Sequence, residues 1–302
     1  MGRKIVKILS VLVILAGLGV FLYPMATKYL AQYKSEKVIR QFEIQAKESS
    51  EGVKKDASDS KMQELLQELQ VYNQRLYEEG QSDLRDPFDY ETSVIDLSKY
   101  GFSQNVIGTL WIPRMDVELP IYLGANAENM ALGAGLLGET SVPIGGQNTN
   151  VVLAAHRGWK GIPMFRDIQM LQPGDKIQIT TPWDTLVYRV CDLKIILPGD
   201  SDEILIQEGR ELVTLLTCHP YTQNYQRYMV VAERSMEEAK TKEEDLQETP
   251  GIQSSANEDE TDGAQFSNRQ IWLEDYGVWI GFAVIAAGML MLCVFSRRRT
   301  KK

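Results

Sequence analysis

The sequence contains few of the residues on which catalytic and metal sites most often depend. Among its 302 residues are three cysteines and only two histidines. So few cysteines cannot form the disulfide framework that stabilises many small exported proteins. The cysteines, histidines and carboxylates also show no spacing typical of metal ligands, so we expect neither a metal ion nor an organic cofactor.

Positive charge is also scarce. The chain has 32 Lys and Arg residues against 41 Asp and Glu residues, which gives a formal net charge of -9 at pH 7. Several of the cations lie at the two ends, so the middle of the chain is more acidic still. Because an acidic surface repels phosphate groups, we expect no nucleic-acid partner.

Two long apolar runs stand out against this background. Residues 5–22 read "IVKILSVLVILAGLGVFL" and residues 276–295 read "YGVWIGFAVIAAGMLMLCVF", and each is long enough to span a bilayer. Basic residues flank both outer ends, so the positive-inside rule places both termini in the cytoplasm and the intervening chain outside the cell membrane. A cleaved signal peptide is the alternative for the first run, but no small-x-small cleavage site follows "FLYPM".

These runs predict an N-terminal transmembrane anchor at residues 1–24 and a C-terminal transmembrane helix at residues 272–296, with membrane lipid as a partner. A basic cytoplasmic tail follows at residues 297–302. Residues 236–271 are acidic and almost free of large apolar side chains. Such a segment cannot bury enough surface to fold, so we predict a disordered acidic linker there.

Residues 25–100 are predicted to form a helical region. From about Ala31 to Glu79 the chain is rich in Glu, Gln and Lys, with apolar residues at helical spacing and a break near "ESSEG". The apolar residues of the second helix are Leu65, Leu66, Leu69, Tyr72 and Leu76.

Residues 101–235 change to short β-rich runs with turn residues between them. The runs are "VIGTLWIP", "ELPIYLG", "NVVLAAH", "KIQIT", "LVYRVCDLKIIL", "LVTLLTC" and "RYMVVAER". Short strands at this spacing, with one or two helices between them, predict a mainly β domain in the form of a closed or nearly closed barrel. Its length is sufficient for one hydrophobic core.

The adjacent residues Cys218 and His219 raise the question of a thiol and imidazole pair. A strand sends successive side chains to opposite faces, so the two residues point apart if "LVTLLTC" stays extended to its end. Cys293 lies inside the predicted C-terminal helix. Cys191 is in phase with apolar residues of a predicted strand, so we expect it to be a small buried hydrophobe.

The second histidine, His156, ends the run "NVVLAAH" just before the turn "RGW". From a strand end an imidazole can reach the end of a neighbouring strand, and catalytic thiol and imidazole are usually distant in sequence. Arg227 begins the strand after Cys218, so a hairpin would return its guanidinium beside the thiol. A fixed cation there would stabilise a thiolate or an oxyanion; an ordinary surface arginine is the alternative.

Together these features resemble the sortases, which are membrane-anchored cysteine transpeptidases of Gram-positive bacteria. The resemblance covers about residues 107–234 and is carried by "IGTLWIP", "LPIYLGA", "GAGLL", "TSVPIGGQNTNVVLAAHRG" and "TLLTC", in the family's order. It implies an eight-stranded sortase-type β-barrel with Cys218, His156 and Arg227 as catalytic residues at one end. On this interpretation His156 is the general acid and base, and His219 packs beside the site or tunes it.

The predicted second transmembrane helix and the motif "DPF" at Asp86, Pro87 and Phe88 are similar to the class C, pilin-polymerising sortases. In that class the aspartate and aromatic residue of such a motif form a lid over the site. The resemblance implies that Asp86 pairs with Arg227 and that Phe88 covers Cys218. An ordinary turn is the alternative, because Asp-Pro commonly opens one.

The resemblance also implies a substrate and a reaction. Cys218 would cleave an LPXTG-like sorting signal after its Thr through a thioacyl-enzyme, and a pilin lysine amine would accept the acyl group. A peptidoglycan precursor is the alternative acceptor, and a non-enzymatic membrane scaffold is the alternative outside enzymes. The sequence departs from the class pattern at His219, where a small or hydroxyl residue is usual, and at Gln226, where histidine is frequent.

Overall fold

The structure is a computed structural model, and the residues that it describes fall into two compact units. One unit takes in the described residues among 1–33, 160–162 and 263–302, and the other takes in those among Lys34–Trp159 and Pro163–Asp262. The described residues are 2–50, 58–81, 84, 95–102, 104–159, 162–221, 223–237 and 286.

Two long helices occupy the N-terminal part of the chain. Helix α1 spans Gly2–Ser50 and helix α2 spans Ser58–Glu79, so helices lie on both sides of the break predicted near "ESSEG". On α2 the side chains of Leu65, Leu69 and Leu76 are buried, as the helical spacing of its apolar residues requires.

Across the part of the chain that the structure describes, no helix combines the length and the hydropathy needed to cross a membrane. The anchor predicted at residues 1–24 falls within α1 and stays a prediction. The helix predicted at 272–296, the linker predicted at 236–271 and the tail predicted at 297–302 lie outside the described residues, apart from residues 236, 237 and 286.

Eight strands close into a barrel, which confirms the mainly β barrel predicted from the sequence. Neighbouring strands follow the order β1-β2-β3-β4-β7-β8-β6-β5, and β1 pairs with β5 to close the barrel. The strands are β1 Val106–Ile112, β2 Val117–Leu123, β3 Ala134–Leu136, β4 Thr149–Ala154, β5 Lys176–Thr180, β6 Thr185–Ile196, β7 Glu211–His219 and β8 Gln226–Ser235; a short helix α3, Ala127–Met130, precedes β3.

The β-rich runs of the sequence correspond to every strand except β3, which pairs parallel to β2 and antiparallel to β4. Strand β3 contains a glycine, and its neighbours approach it closely. A Cβ on Gly135 would lie 2.6 Å from Cα of Ala125, and one on Gly133 would lie 2.4 Å from the carbonyl oxygen of Pro120. At these two glycines there is no room for the β-branched and aromatic side chains by which a strand is identified in a sequence.

Side-chain amides attach α2 and the chain that follows it to loops of the barrel. The amide of Asn73 donates to the carbonyl oxygen of Val142 at 3.1 Å and accepts from its N–H at 2.8 Å. Gln81 donates to the carbonyl oxygen of Glu139 at 2.8 Å and accepts from the N–H of Ile206 at 2.6 Å. The start of the segment that carries "DPF" is thus held beside the β6–β7 loop.

The expectation that Cys191 is buried is wrong, because Cys191 is exposed. The register of β6 against β8 shifts between Val190, which pairs with Ala232, and Asp192, which pairs with Val231. Cys191 is the extra residue of this bulge, and a bulge interrupts the alternation of faces on which the expectation rested.

Candidate active site

The ends of three strands bring the predicted site residues together. In the antiparallel pair of β7 and β8, Cys218 lies directly opposite Arg227. Strand β4 runs parallel to β7, and the last pair of their ladder is Ala154 with Leu216. His156 follows Ala154 by two residues, as Cys218 follows Leu216. Directly paired residues share a face, and residues two apart on one strand do so as well.

Two threonines of "TLLTC" explain how β7 is fixed against β4. Both Thr214 and Thr217 are fully buried. The hydroxyl of Thr217 donates to the carbonyl oxygen of Ala155 at 2.8 Å, and that of Thr214 donates to Oδ1 of Asn150 at 2.9 Å. The amide of Asn150 in turn donates to the carbonyl oxygen of Ile204 in the β6–β7 loop at 2.9 Å. The two threonines therefore attach β7, which carries the thiol, to β4, the strand that His156 follows in the chain.

His156 is held by the turn that follows β4. Gly158 adopts φ +90, a left-handed conformation that glycine adopts without a steric penalty. The turn brings the ring of Trp159 onto the imidazole of His156, with centroids 4.5 Å apart and planes inclined by 17°. Burial lowers the pKa of His156, so near neutral pH its imidazole is predominantly neutral and can accept a proton.

Arg227 is a buried cation, with 7% of its surface exposed. Its Nη1 donates to the carbonyl oxygens of Asn224 and Gln226, each at 2.9 Å. These contacts fix the plane of the guanidinium. A planar fork of N–H donors is suited to carboxylates and oxyanions.

An apolar surface lies on the face of the sheet that carries Cys218. Leu216 and Met229 are paired on this face and belong to a buried cluster against which Leu84 and Ile196 pack. The other members of the cluster are Ala125, Met130, Leu137, Val152, Ala154, Ile204, Leu212 and Val231.

The opposite face carries His219. Strand β7 stays extended through His219, and the imidazole ring of His219 contacts Arg157 and Tyr228. Sequence reasoning did not identify Arg157, although it stands in "AAHRG" and alternation alone would place it opposite His156. Nor did it identify Trp159 or Leu84, for which no local pattern exists.

The predicted lid residues Asp86, Pro87 and Phe88 lie outside the described residues. Cys191 lies near the far end of the β7–β8 pair, where Nη2 of Arg210 is 3.6 Å from its sulfur. Partial desolvation raises the pKa of the Cys191 thiol, which disfavours the nucleophilic thiolate.

The closed, mainly β barrel carries a cysteine, a histidine and an arginine at three adjacent strand ends. This set of side chains is typical of enzymes that transfer an acyl group through a thiol nucleophile. A family model described as the Sortase domain matches residues 110–235. Sortase A of Listeria monocytogenes is 30% identical over 165 residues, which cover 52% of this chain and 72% of that protein. The chain belongs to the sortase family, whose members are cysteine transpeptidases.

The solved structures that this chain resembles include streptococcal class C sortases. Sortase C1 of GBS Pilus Island 1 shares 29% identity with a TM-score of 0.59, covering 68% of this chain and 95% of that one. Sortase C of Streptococcus pneumoniae shares 30% identity with a TM-score of 0.58, covering 68% of this chain and 100% of that one. By contrast, the chain spans 60% of Sortase A of Bacillus anthracis, at 32% identity over 43% of this chain, and 55% of Sortase D of Bacillus subtilis.

Proposed function

We propose that this protein is a membrane-anchored cysteine transpeptidase that cleaves an LPXTG-like sorting signal after its Thr and joins the acyl group to a lysine amine of a pilin. The observation that carries the proposal is the direct pairing of Cys218 with Arg227 beside the end of β4, which leads to His156. The class C sortases among its structural neighbours support the pilin as acceptor, since the structure of the Streptococcus pneumoniae enzyme is described as informative about pilin substrate specificity.

The first half of the reaction breaks the peptide bond after the threonine. The neutral imidazole of His156 takes the thiol proton of Cys218 as the sulfur attacks the threonine carbonyl. Arg227 stabilises the oxyanion that develops. His156 then returns the proton to the departing amine, and the acyl group remains on Cys218 as a thioester.

The second half transfers the acyl group to the acceptor. A lysine amine attacks the thioester carbonyl, His156 takes the proton from the attacking nitrogen, and the sulfur of Cys218 leaves as the thiol once that proton is returned. The thioester conserves the energy of the bond that was broken, so no ATP is needed outside the cell. An isopeptide bond results.

We also propose that Asp86, Pro87 and Phe88 form a lid. Gln81 is fixed to the β6–β7 loop, and Leu84 packs on the apolar cluster that shares a face with Cys218. Phe88 lies four residues beyond Leu84 in the chain, which is a reach of up to about 14 Å. Phe88 can therefore lie over Cys218 while Asp86 pairs with Arg227.

The apolar runs at residues 5–22 and 276–295 support anchoring at both ends, with the termini in the cytoplasm and the barrel outside. Sorting-signal proteins and either acceptor would be met at the membrane surface, so anchoring raises the effective concentration of the encounter. Extraction of membranes at alkaline pH tests this, because a peripheral protein is released into the supernatant and an integral protein is not.

The test of the reaction is incubation of the full chain with a peptide that carries an LPXTG-like signal. We expect an acyl-enzyme, detected by intact mass, whose added mass corresponds to the peptide cleaved after Thr. The Cys218→Ala variant should form none. A variant that still supports pilus assembly would instead indicate a scaffold, and a wild-type chain that never acquires the acyl mass would refute the proposal.

The acceptor is decided in a second step. We expect a ladder of covalently linked subunits when a purified pilin with a sorting signal is added. A product formed only with a peptidoglycan precursor would identify a wall-anchoring enzyme with the same thiol chemistry.

A further inference from the structure

A buried arginine lies behind the candidate nucleophile, on the face of the sheet opposite the thiol. Arg157 is 7% exposed. Its Nη1 lies 2.7 Å from Nδ1 of His219 and donates to the carbonyl oxygen of Cys218 at 3.4 Å. Its Nη2 donates to the side-chain oxygen of Gln169, and its guanidinium carbon lies 5.9 Å from the centre of the Tyr228 ring.

These partners come from every element that carries a candidate catalytic residue. Arg157 directly follows His156, its acceptor oxygen on β7 belongs to Cys218, and Tyr228 directly follows Arg227 on β8. Gln169 adds the short helical turn Ile168–Met170. One side chain therefore connects the three strand ends that form the site.

The connection lies where the backbone ladder between β4 and β7 has already ended. The last registered pair of that ladder is Ala154 with Leu216. One further backbone bond follows, in which the N–H of Ala155 donates to the carbonyl oxygen of Leu216 at 3.2 Å. Beyond this bond, the hydroxyl of Thr217 donates to the carbonyl oxygen of Ala155, and the guanidinium of Arg157 donates to the carbonyl oxygen of Cys218.

The contact between Arg157 and His219 fixes the protonation state of that histidine. A guanidinium donates hydrogen bonds and cannot accept them, so Nδ1 of His219 must be the acceptor and its proton must sit on Nε2. Desolvation and the charge of Arg157 both lower the pKa of His219. His219 is therefore a neutral acceptor in this arrangement.

We propose that Arg157 is a positioning residue that holds the Cys218 end of β7 against the end of β4, and that His219 acts as its neutral acceptor. The proposal rests on the proposed function only in naming the reaction that the positioning serves. Displacement of a reacting group by about 1 Å can lower the rate about 10²-fold, so a clamp at the strand ends acts on turnover more than on substrate binding.

If Arg157 only stabilised the fold, its variants would lower the thermal unfolding midpoint without lowering kcat of the folded protein. Arg157→Met keeps a long side chain but leaves the acceptor atoms of Gln169 and His219 without their donor, which lowers stability. Arg157→Lys keeps a positive charge but lacks the planar fork that reaches several acceptors. Should Arg157→Met fail to fold, Arg157→Lys decides the question.

The experiment measures kcat and KM of the full chain with the sorting-signal peptide, together with the thermal unfolding midpoint. We expect Arg157→Lys and Arg157→Met to lower kcat by about 10-fold to 100-fold while KM changes little. The matched control is Arg210→Met, which removes a cation from the opposite end of the same strand pair, where Arg210 pairs with Glu233 at 2.7 Å. This control should keep the wild-type kcat.

His219 provides the rescue test. In His219→Asn the side-chain oxygen occupies the branch position of Nδ1 and can accept from Arg157, whereas His219→Leu keeps bulk without an acceptor. We expect His219→Asn to retain most of kcat and His219→Leu to lose about as much as Arg157→Lys. Equal activities of the two His219 variants, or a wild-type kcat in Arg157→Lys, would overturn the proposal.

A readout without substrate separates this proposal from the proposed function. The rate of Cys218 alkylation by iodoacetamide is measured against pH by mass spectrometry. The charges of Arg157 and a Cys218 thiolate interact favourably, so Arg157→Met should move the alkylation profile to higher pH and Arg210→Met should not. An unmoved profile contradicts the role of Arg157, whereas a wild-type chain that alkylates normally but never processes the peptide contradicts the proposed function alone.

Discussion

Cys218 and Arg227 are directly opposed residues on β7 and β8, and His219 and Gln226 form the next pair of the same ladder. The position of Arg227 opposite Cys218 is thus set by strand register. The apolar pattern of both strands fixes that register, since a slip by one residue would turn each side chain to the other face. The two positions at which the sequence departs from the class C pattern are therefore cross-strand partners, on the face that holds Arg157.

The first prediction concerns the nucleophile. Cys218→Ala should abolish formation of the acyl-enzyme, because no other described cysteine lies beside a buried cation at a strand end. Cys191→Ala should keep turnover and change the free energy of unfolding by no more than about 0.5 kcal/mol, as expected of an exposed residue. Intact mass and thermal unfolding measure both. An inactive Cys191 variant beside an active Cys218 variant would reverse the assignment.

The second prediction separates the two histidines. His156→Asn should lower kcat by about 10²–10⁴-fold, because an amide cannot take up and return a proton. His219→Asn should retain most of kcat, because only an acceptor for Arg157 is needed at that position. Kinetics of both variants with the same peptide provide the measurement. A loss in His219→Asn as large as that in His156→Asn would assign the proton transfer to His219 instead.

The sequence predicted the barrel and the strand ends because alternation and turn residues are local signals. It could not reveal β3, because the close approach of Ala125 and Pro120 requires glycine at Gly135 in the strand and at Gly133 before it. The bulge that exposes Cys191 depends on the register against β8 and is equally invisible in one strand read alone.

The site shows the same division. Cys218, His156 and Arg227 could be selected as polar residues at strand ends, and alternation separated Cys218 from His219. The cluster of Arg157 with Gln169 and Tyr228 joins side chains from distant parts of the chain. Such partners become apparent only when the packing of the strands is known.

The third prediction concerns stability against pH. Burial lowers the pKa values of His156 and His219 below the ordinary histidine value of 6.5, so the unfolded chain binds more protons than the folded chain near that pH. Stability is then fully present above about pH 6.5 and is lost as the pH falls through the folded-state values. Thermal unfolding between pH 5 and 8 should show this decline, and His219→Asn should make it shallower. A midpoint that rises as the pH falls below 6.5 would contradict both shifts.

The last prediction concerns the lid. Phe88 over Cys218 would shield the thiol from water and oxidants, which are hazards for a reactive cysteine outside the cell. The proposed lid is held by one ion pair, between Asp86 and Arg227, and by the aromatic cover, so we expect a bound sorting signal to displace it.

The measurement is the rate at which a bulky thiol reagent modifies Cys218 in the wild type and in an Asp86→Ala, Phe88→Ala double variant. Loss of the ion pair should raise the rate, and loss of the aromatic cover should raise it further. Leu84→Ala should also raise the rate of Cys218 modification, because Leu84 holds the chain just before "DPF" on the apolar cluster. Cys191 serves as an internal control, since it is exposed in every variant and its modification rate should not change. If the Cys218 rate is unchanged as well, "DPF" is an ordinary turn, and the assignment to pilin polymerisation loses the support of a lid.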